Sequence, residues 1–199
     1  MVSAQPKSIA LIQGHPDPDP GHLCRGLADA YEGAARDAGH AVTVIDVAQL
    51  DFPMLRSPAE FDEAPVPPGL VAAQKAILAA DHLVVVFPLW LGTLPALTKG
   101  FFEQALHRKD WFDTGNGSGW PKGRLKGKSA RIVATMGMPA PVFRIWFGGH
   151  GTKSFERSIL AVVGVRPIRE TLFGMVEAAS PERRAKWLET MRTLGEKGG

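Results

Sequence analysis

The chain has 199 residues, 45% hydrophobic and 22% charged, a balance that suits one globular domain spanning 1–199 with a buried core. A single cysteine, Cys24, excludes an internal disulfide and a thiolate metal cage, so no metal site is expected and a cytoplasmic setting follows. The net charge of +3 is too mild for a nucleic-acid surface, and the longest uncharged stretch, 83–98, is shorter than the roughly 18 to 20 residues of a membrane span.

Residues 7–13 (KSIALIQ) form an apolar run ending at Gly14, the pattern of a strand buried on both faces. Leu23, Leu27, Tyr31 and Ala35 recur at helical spacing and predict a helix over 21–38, closed by Gly39. A second strand is expected over 41–47, a helix over 70–80, a third strand over 82–87, and a helix over 94–106 begun by Pro95. A fourth strand over 130–136, a helix over 154–163 and a fifth strand over 165–173 follow. Ser180 and Pro181 then supply an N-cap and a first-turn proline for a last helix.

Strand and helix alternate throughout, which predicts an α/β three-layer sandwich: a five-stranded parallel sheet with helices on both faces. In such sheets ligands bind beyond the carboxyl ends of the strands, where the winding reverses. The segments to inspect are therefore 14–22, 88–94 and 137–151. Two long loops interrupt the pattern, 56–69 and 107–128. The second carries Trp111, Phe112 and Trp120, expected to lie against a pocket rim or a partner subunit.

The loop after the first strand reads GHPDPDPGH and opens a helix whose amide groups can hold an anion. Its residues fit two readings. His15, His22 and Arg25 surround a phosphate, or the prolines stiffen a turn and Asp19 caps the helix. The nearest approach to a phosphate-binding P-loop, 123–129, is one residue short between its glycines and leads into a strand, which excludes an NTPase. After the third strand, Pro88, Trp90 and Gly92 describe a rigid apolar shelf with close backbone access, as a planar heteroaromatic cofactor requires.

Here the sequence resembles a known family. Residues 87–103 (FPLWLGTLPALTKGFFE) look like the signature of the flavodoxin-like NAD(P)H:quinone oxidoreductases, and His15, Thr135, Gly137 and Gly149-His150-Gly151 match the same pattern in order. The resemblance implies a flavodoxin-like fold, bound FMN or alternatively FAD, NADPH or NADH as hydride donor, and a homodimer with active sites at the subunit interface. It also implies two-electron reduction of quinones or similar electron-poor acceptors in ping-pong fashion. By that resemblance His15, Asp19, Gly21, His22 and Leu23 line the flavin phosphate side, and Pro88, Leu89, Trp90, Leu91 and Gly92 run beside one ring edge. Thr135, Met136 and Gly137 lie against the other, and His150 stabilises charge on the ring.

Two departures stand out. Members of the family it resembles carry a tyrosine upstream of the histidine, where the nearest position here is Phe143, and usually offer serine or threonine hydroxyls to the flavin phosphate, where this loop has Asp19-Pro20-Gly21. An aspartate at the helix start would compete with phosphate for the same amides. These departures keep two alternatives open: a flavin-binding electron carrier, and a regulatory subunit of a membrane transporter without turnover of its own.

Overall fold

The computed structural model describes residues 5–106, 111–113 and 122–199. Strand β1 (Ser8–Gln13) runs from a half-buried serine into five buried side chains. β2 (Ala41–Asp46) pairs with it in parallel along one side. β3 (His82–Pro88), buried at every position, pairs in parallel along the other. Residues Phe112–Asp113 (β4) and Lys122–Gly123 (β5) form a separate antiparallel ribbon. β6 (Ser129–Met136) and β7 (Ile168–Gly174) extend the main sheet in parallel. Its order, β2-β1-β3-β6-β7, has five strands as expected, and β1 and β3 are the neighbours between which the winding reverses.

The helices are α1 (Leu23–Asp37), α2 (Pro58–Asp62), α3 (Val71–Ala79), α4 (Ala96–Ala105), α5 (Ala140–Ile145), α6 (His150–Ser154) and α7 (Pro181–Glu196). On one face, Leu27, Tyr31 and Ala35 of α1 and Met191 of α7 pack on Ile9, Leu11, Val84 and Val133. On the other, Ile77 of α3 and Phe101 of α4 pack with Phe155 on Ile12, Val85, Phe87 and Ile132. Each of these large side chains, taken fully from water, contributes about 1.5–3 kcal/mol, so both faces of the sheet are firmly covered. The site's loops are therefore anchored at rigid strand ends.

Several boundaries differ from expectation. α1 starts at Leu23, later than Gly21, because the 17–21 segment forms its own side-chain turns and His22 takes the N-cap position. Pro88 extends β3 by one residue, and Pro95, expected inside the next helix, is its N-cap. The helix expected over 154–163 begins earlier, as α6, and continues as a π-helical turn over Phe155–Leu160. The loop 56–69 contains α2, whose N-cap Ser57 accepts from the Glu60 amide. Trp111 lines neither a rim nor a partner face: it is fully buried in the core, its indole N–H donating to the Ala105 carbonyl at 2.6 Å. Trp120 lies outside the described residues.

Candidate active site

Three connections meet at the carboxyl end of the sheet, and each is held by a different device. After β1, Asp17 and Asp19 accept from the amides of Asp19 and Gly21 at 2.9 and 2.8 Å, curling the loop through two side-chain turns. Asp19 thus spends its carboxylate on the loop and leaves α1 uncapped. Among the described residues, the amides of Leu23 and Cys24 in the first turn of α1 find no acceptor. Two donors at the positive end of a 15-residue helix are therefore open to an anion.

The imidazoles of His15 and His22 stack with centroids 3.8 Å apart and planes inclined by 21°, and the Trp90 ring meets His15 edge-on at 6.0 Å. His15 Nδ1 lies 3.1 Å from the Asp17 amide nitrogen and 3.2 Å from the Asp17 carbonyl oxygen, so the Asp17 main chain holds the ring by that nitrogen. Burial and then the neighbouring His22 hold His15 below the ordinary histidine range. The Asp17 carboxylate lies 2.9 Å from His22 Nε2. Arg25, expected beside a phosphate, turns instead to Asp46, making two bonds of 2.8 and 3.1 Å. It is a brace between α1 and β2.

After β3, the Leu89 amide donates to the Thr135 carbonyl at 2.7 Å, and the chain then reverses through Trp90–Thr93. Trp90 and Thr93 exchange both main-chain bonds, at 3.0 and 3.1 Å, around Leu91 (φ 47) and Gly92 (φ 84). Positive φ at both central residues makes this a primed hairpin turn. Its geometry decides which donors remain: the Trp90 amide is consumed, whereas those of Leu91 and Gly92 find no acceptor among the described residues.

After β6, Thr135 and Met136 are buried; the Thr135 hydroxyl lies 3.1 Å from Cys24 Sγ on the α1 side of the sheet. They contribute a floor, and Gly137 carries the chain into the open beside the Glu177 carboxylate. Burial pushes the Cys24 thiol up to about 12, so it is an inert part of that floor. α5 follows, then Gly148 (φ 61) and Gly149 (φ 63), whose successive left-handed conformations turn the chain sharply so that His150 opens α6. A β-carbon on Gly151 would lie 1.7 Å from the Gly92 carbonyl oxygen, so only glycine lets α6 sit directly on the hairpin.

A cavity of about 460 Å³ lies between them, lined by Leu91, Gly92, Met138, Phe143, Phe147, His150 and Gly151. That volume is within the range of small-ligand sites. Of the residues expected from sequence, Leu91, Gly92, Phe143 and His150 meet in this cavity. The others lie outside its lining: His15, Asp19, Gly21, His22 and Leu23 follow β1, Pro88, Leu89 and Trp90 stand at and after the end of β3, and Thr135, Met136 and Gly137 at and after the end of β6. Met138, Phe147 and Gly151 were not foreseen as lining residues. The Gly149-His150-Gly151 spacing is the one signal that pointed toward them. The residues present suit a flat ring with an anionic tail: two free amides and an apolar wall for the ring, two free helix amides for the tail.

A family model described as flavodoxin-like fold matches residues 7–194. An uncharacterized NAD(P)H oxidoreductase of Haemophilus influenzae is 28% identical over 172 residues, 83% of either chain. Among solved structures, an NAD(P)H:quinone oxidoreductase from Methanothermobacter marburgensis superposes with a TM-score of 0.81 at 20% identity, covering 98% of this chain and 100% of that one. An FMN-dependent NADH-azoreductase from Bacillus anthracis, in complex with FMN, gives 0.70 at 12% identity, covering 96% of each.

Proposed function

The chain belongs to the flavodoxin-like fold family, and on that premise we propose that it is a flavin-dependent NAD(P)H oxidoreductase that reduces quinones or similar electron-poor acceptors by two electrons. One observation carries the reading: the unpaired Leu91 and Gly92 amides border an apolar 460 Å³ cavity beyond the carboxyl ends of β3 and β6. FMN, or alternatively FAD, when bound there supplies reversible hydride chemistry. FMN is preferred because it has a single phosphate, which the Leu23 and Cys24 amides suffice to hold. The names of the similar proteins, an NAD(P)H oxidoreductase, a quinone oxidoreductase and an FMN-dependent azoreductase, agree with the proposal.

The chain's own residues then have distinct tasks. The Leu23 and Cys24 amides hold the phosphate, with the His15–His22 stack beside them. The Trp90–Thr93 hairpin borders one ring edge and offers two preorganised donors, while Gly137 gives access to the other. His150, in the cavity lining, would offer its imidazole as a donor to a ring bound there. Phe143, Phe147 and Met138 exclude water, which strengthens those interactions. One cavity serves donor and acceptor in turn, the basis of a ping-pong order.

A homodimer is proposed as well. Phe61, Phe102, Leu106, Ile159, Val162 and Val163, with the paired Lys99 and Glu103 and Ser158, line an outward cleft of about 270 Å³ along α4. The apolar share of that cleft suits a second copy. In the described residues no helix is long and apolar enough to cross a membrane.

The test is the purified protein under anaerobic conditions. A yellow preparation whose extracted cofactor has the mass of FMN, bleached by NADPH or NADH and recoloured by a soluble quinone, is the expected result. Colour that nicotinamides do not bleach means an electron carrier. A colourless protein that cannot be reconstituted with flavin means a regulatory subunit without turnover. Either outcome overturns the proposal.

A further inference from the structure

The sheet face under α1 and α7 carries an excess of positive charge in its amino half. Arg131 on β6 and Arg169 on β7 are register partners, so their side chains leave the sheet on the same side, directly opposite one another. Like charges in that relation repel. Arg131 is only 7% exposed, whereas Arg169, on the edge strand, is exposed. Among the described residues the Arg131 guanidinium has one partner, the Thr171 hydroxyl at 2.8 Å, and the Arg169 side chain has none.

The neighbouring carboxylates are turned away or already engaged. Glu170 follows Arg169 in β7 and so points to the opposite face, where it lies 3.8 Å from Arg144. On α1, Glu32 pairs with Arg36, and on α7, Glu189 pairs with Arg192. Asp81 accepts from the Ser8 amide. The groups that act electrostatically on the buried His82 are Lys7, Arg131, Arg169 and His40, and none is a carboxylate. Burial and then Arg169 hold Arg131 below the ordinary arginine range. A buried cation with no counter-charge is costly, so this face favours an anion.

The hydrogen-bonding groups agree. Six buried side-chain nitrogen or oxygen atoms of the described residues have no partner, and three belong here: Arg131 Nε, the Tyr31 hydroxyl and His82 Nε2. Tyr31 and His82 both lie within charge-interaction range of Arg131. All three groups can donate, His82 because its other ring nitrogen meets the Ser129 hydroxyl at 2.7 Å. A guanidinium presents its donors as a planar fork that fits two oxygens of one oxyanion, and two guanidiniums match a double negative charge.

We propose that Arg131 and Arg169 bind a small dianionic oxyanion of the phosphate type, at the end of the sheet opposite the cavity, with Tyr31 and His82 as further donors. The site is independent of the oxidoreductase reading. It ties the stability of the fold to the anion.

The test is thermal unfolding of the full chain near neutral pH while inorganic phosphate is titrated against chloride at matched ionic strength, which holds screening constant. Roughly 10 mM phosphate is expected to raise the wild-type Tm by about 3 °C. Phosphate can also meet the Leu23 and Cys24 amides, so the variants decide. Arg169→Gln, at an exposed position, should weaken the phosphate response by about tenfold in concentration, and Arg131→Met should abolish it. A wild type that does not respond overturns the proposal, and so does Arg169→Gln with a response equal to wild type, which would assign the effect to the α1 amides. Crystals soaked in selenate give an independent reading. An anomalous peak within hydrogen-bond reach of both guanidiniums is expected; selenate found only at the start of α1 overturns the proposal.

Discussion

The two ends of the same sheet treat their main chain in opposite ways. At the amino end, main-chain groups are paired locally, although the buried His82 Nε2 finds no partner among the described residues. Ser8 and Asp81 exchange main-chain and carboxylate bonds of 2.7 and 2.8 Å, and the Lys128 ammonium donates to the Leu78 and Ala80 carbonyls. His82 Nδ1 meets the Ser129 hydroxyl at 2.7 Å. At the carboxyl end, the amides of Leu23, Cys24, Leu91 and Gly92 find no acceptor among the described residues, and the non-glycine positive-φ residues Leu91 and Met175 both lie there. Unsatisfied donors are normally avoided. Where they accumulate beside a cavity, the fold has left room for a ligand, and stability should be separable from function along the strand axis.

The most disruptive way to probe that separation is Gly151→Ala. Its β-carbon would collide with the Gly92 carbonyl at 1.7 Å, and both partners are main chain, so the hairpin must shift. We expect turnover to fall about 100-fold, the scale of a misplacement near 1 Å, with stability reduced by about 1–3 kcal/mol. Steady-state kinetics beside thermal unfolding would measure both. Turnover near wild type would mean the contact does not position the site.

At the other end, His82 probes stability alone. Burial, then the cations Lys7 and Arg131, push its pKa down from 6.5 to about 3. A depressed histidine favours the fold while both states are neutral. Its contribution is thus full above pH 6.5 and declines as pH drops toward 3, because the unfolded chain takes up the proton first. The loss should reach roughly 2 kcal/mol near about pH 5, and His82→Gln should flatten Tm against pH. An unchanged slope would assign the acid sensitivity elsewhere.

Phe143→Tyr adds the hydroxyl that the family resemblance implies near this position. Phe143 is almost wholly buried beside His150 in the cavity wall, so the hydroxyl can add a donor near the ring. A rise of about tenfold in nicotinamide turnover is expected, below the 10²–10³ of a full preorganised donor. No change, or a fall, would mean that His150 alone suffices. The mildest change, Leu91→Gly, removes a fully exposed side chain from φ 47. Relief of about 1 kcal/mol should raise Tm by about 2–4 °C, and a drop in Tm would show that the apolar tip packs on something.

Most of the fold follows from pattern alone, since 7–13, 82–87 and 130–136 are apolar runs that only a sheet covered on both faces can accept. The boundaries failed where local side chains overrode periodicity. Asp17 and Asp19 diverted the start of α1, and the π turn after α6 followed no periodic signal. At the site, the Phe87–Glu103 signature pointed to the hairpin. It did not reveal that the Trp90 amide is consumed and its neighbours free, because that depends on two φ angles. Arg25 looked like a phosphate ligand only because Asp46, its partner, lies far away in sequence. Met138 and Phe147 became lining residues through the left-handed turn at Gly148 and Gly149, which no hydrophobic count anticipates.

The cavity wall is made almost entirely of hydrocarbon and peptide, His150 being its sole ionisable side chain. Such a wall discriminates by thickness and planarity and is indifferent to which polar substituents a guest carries. Reactivity across a panel of guests should then track how readily each takes up electrons, a ranking that reduction potentials alone would forecast.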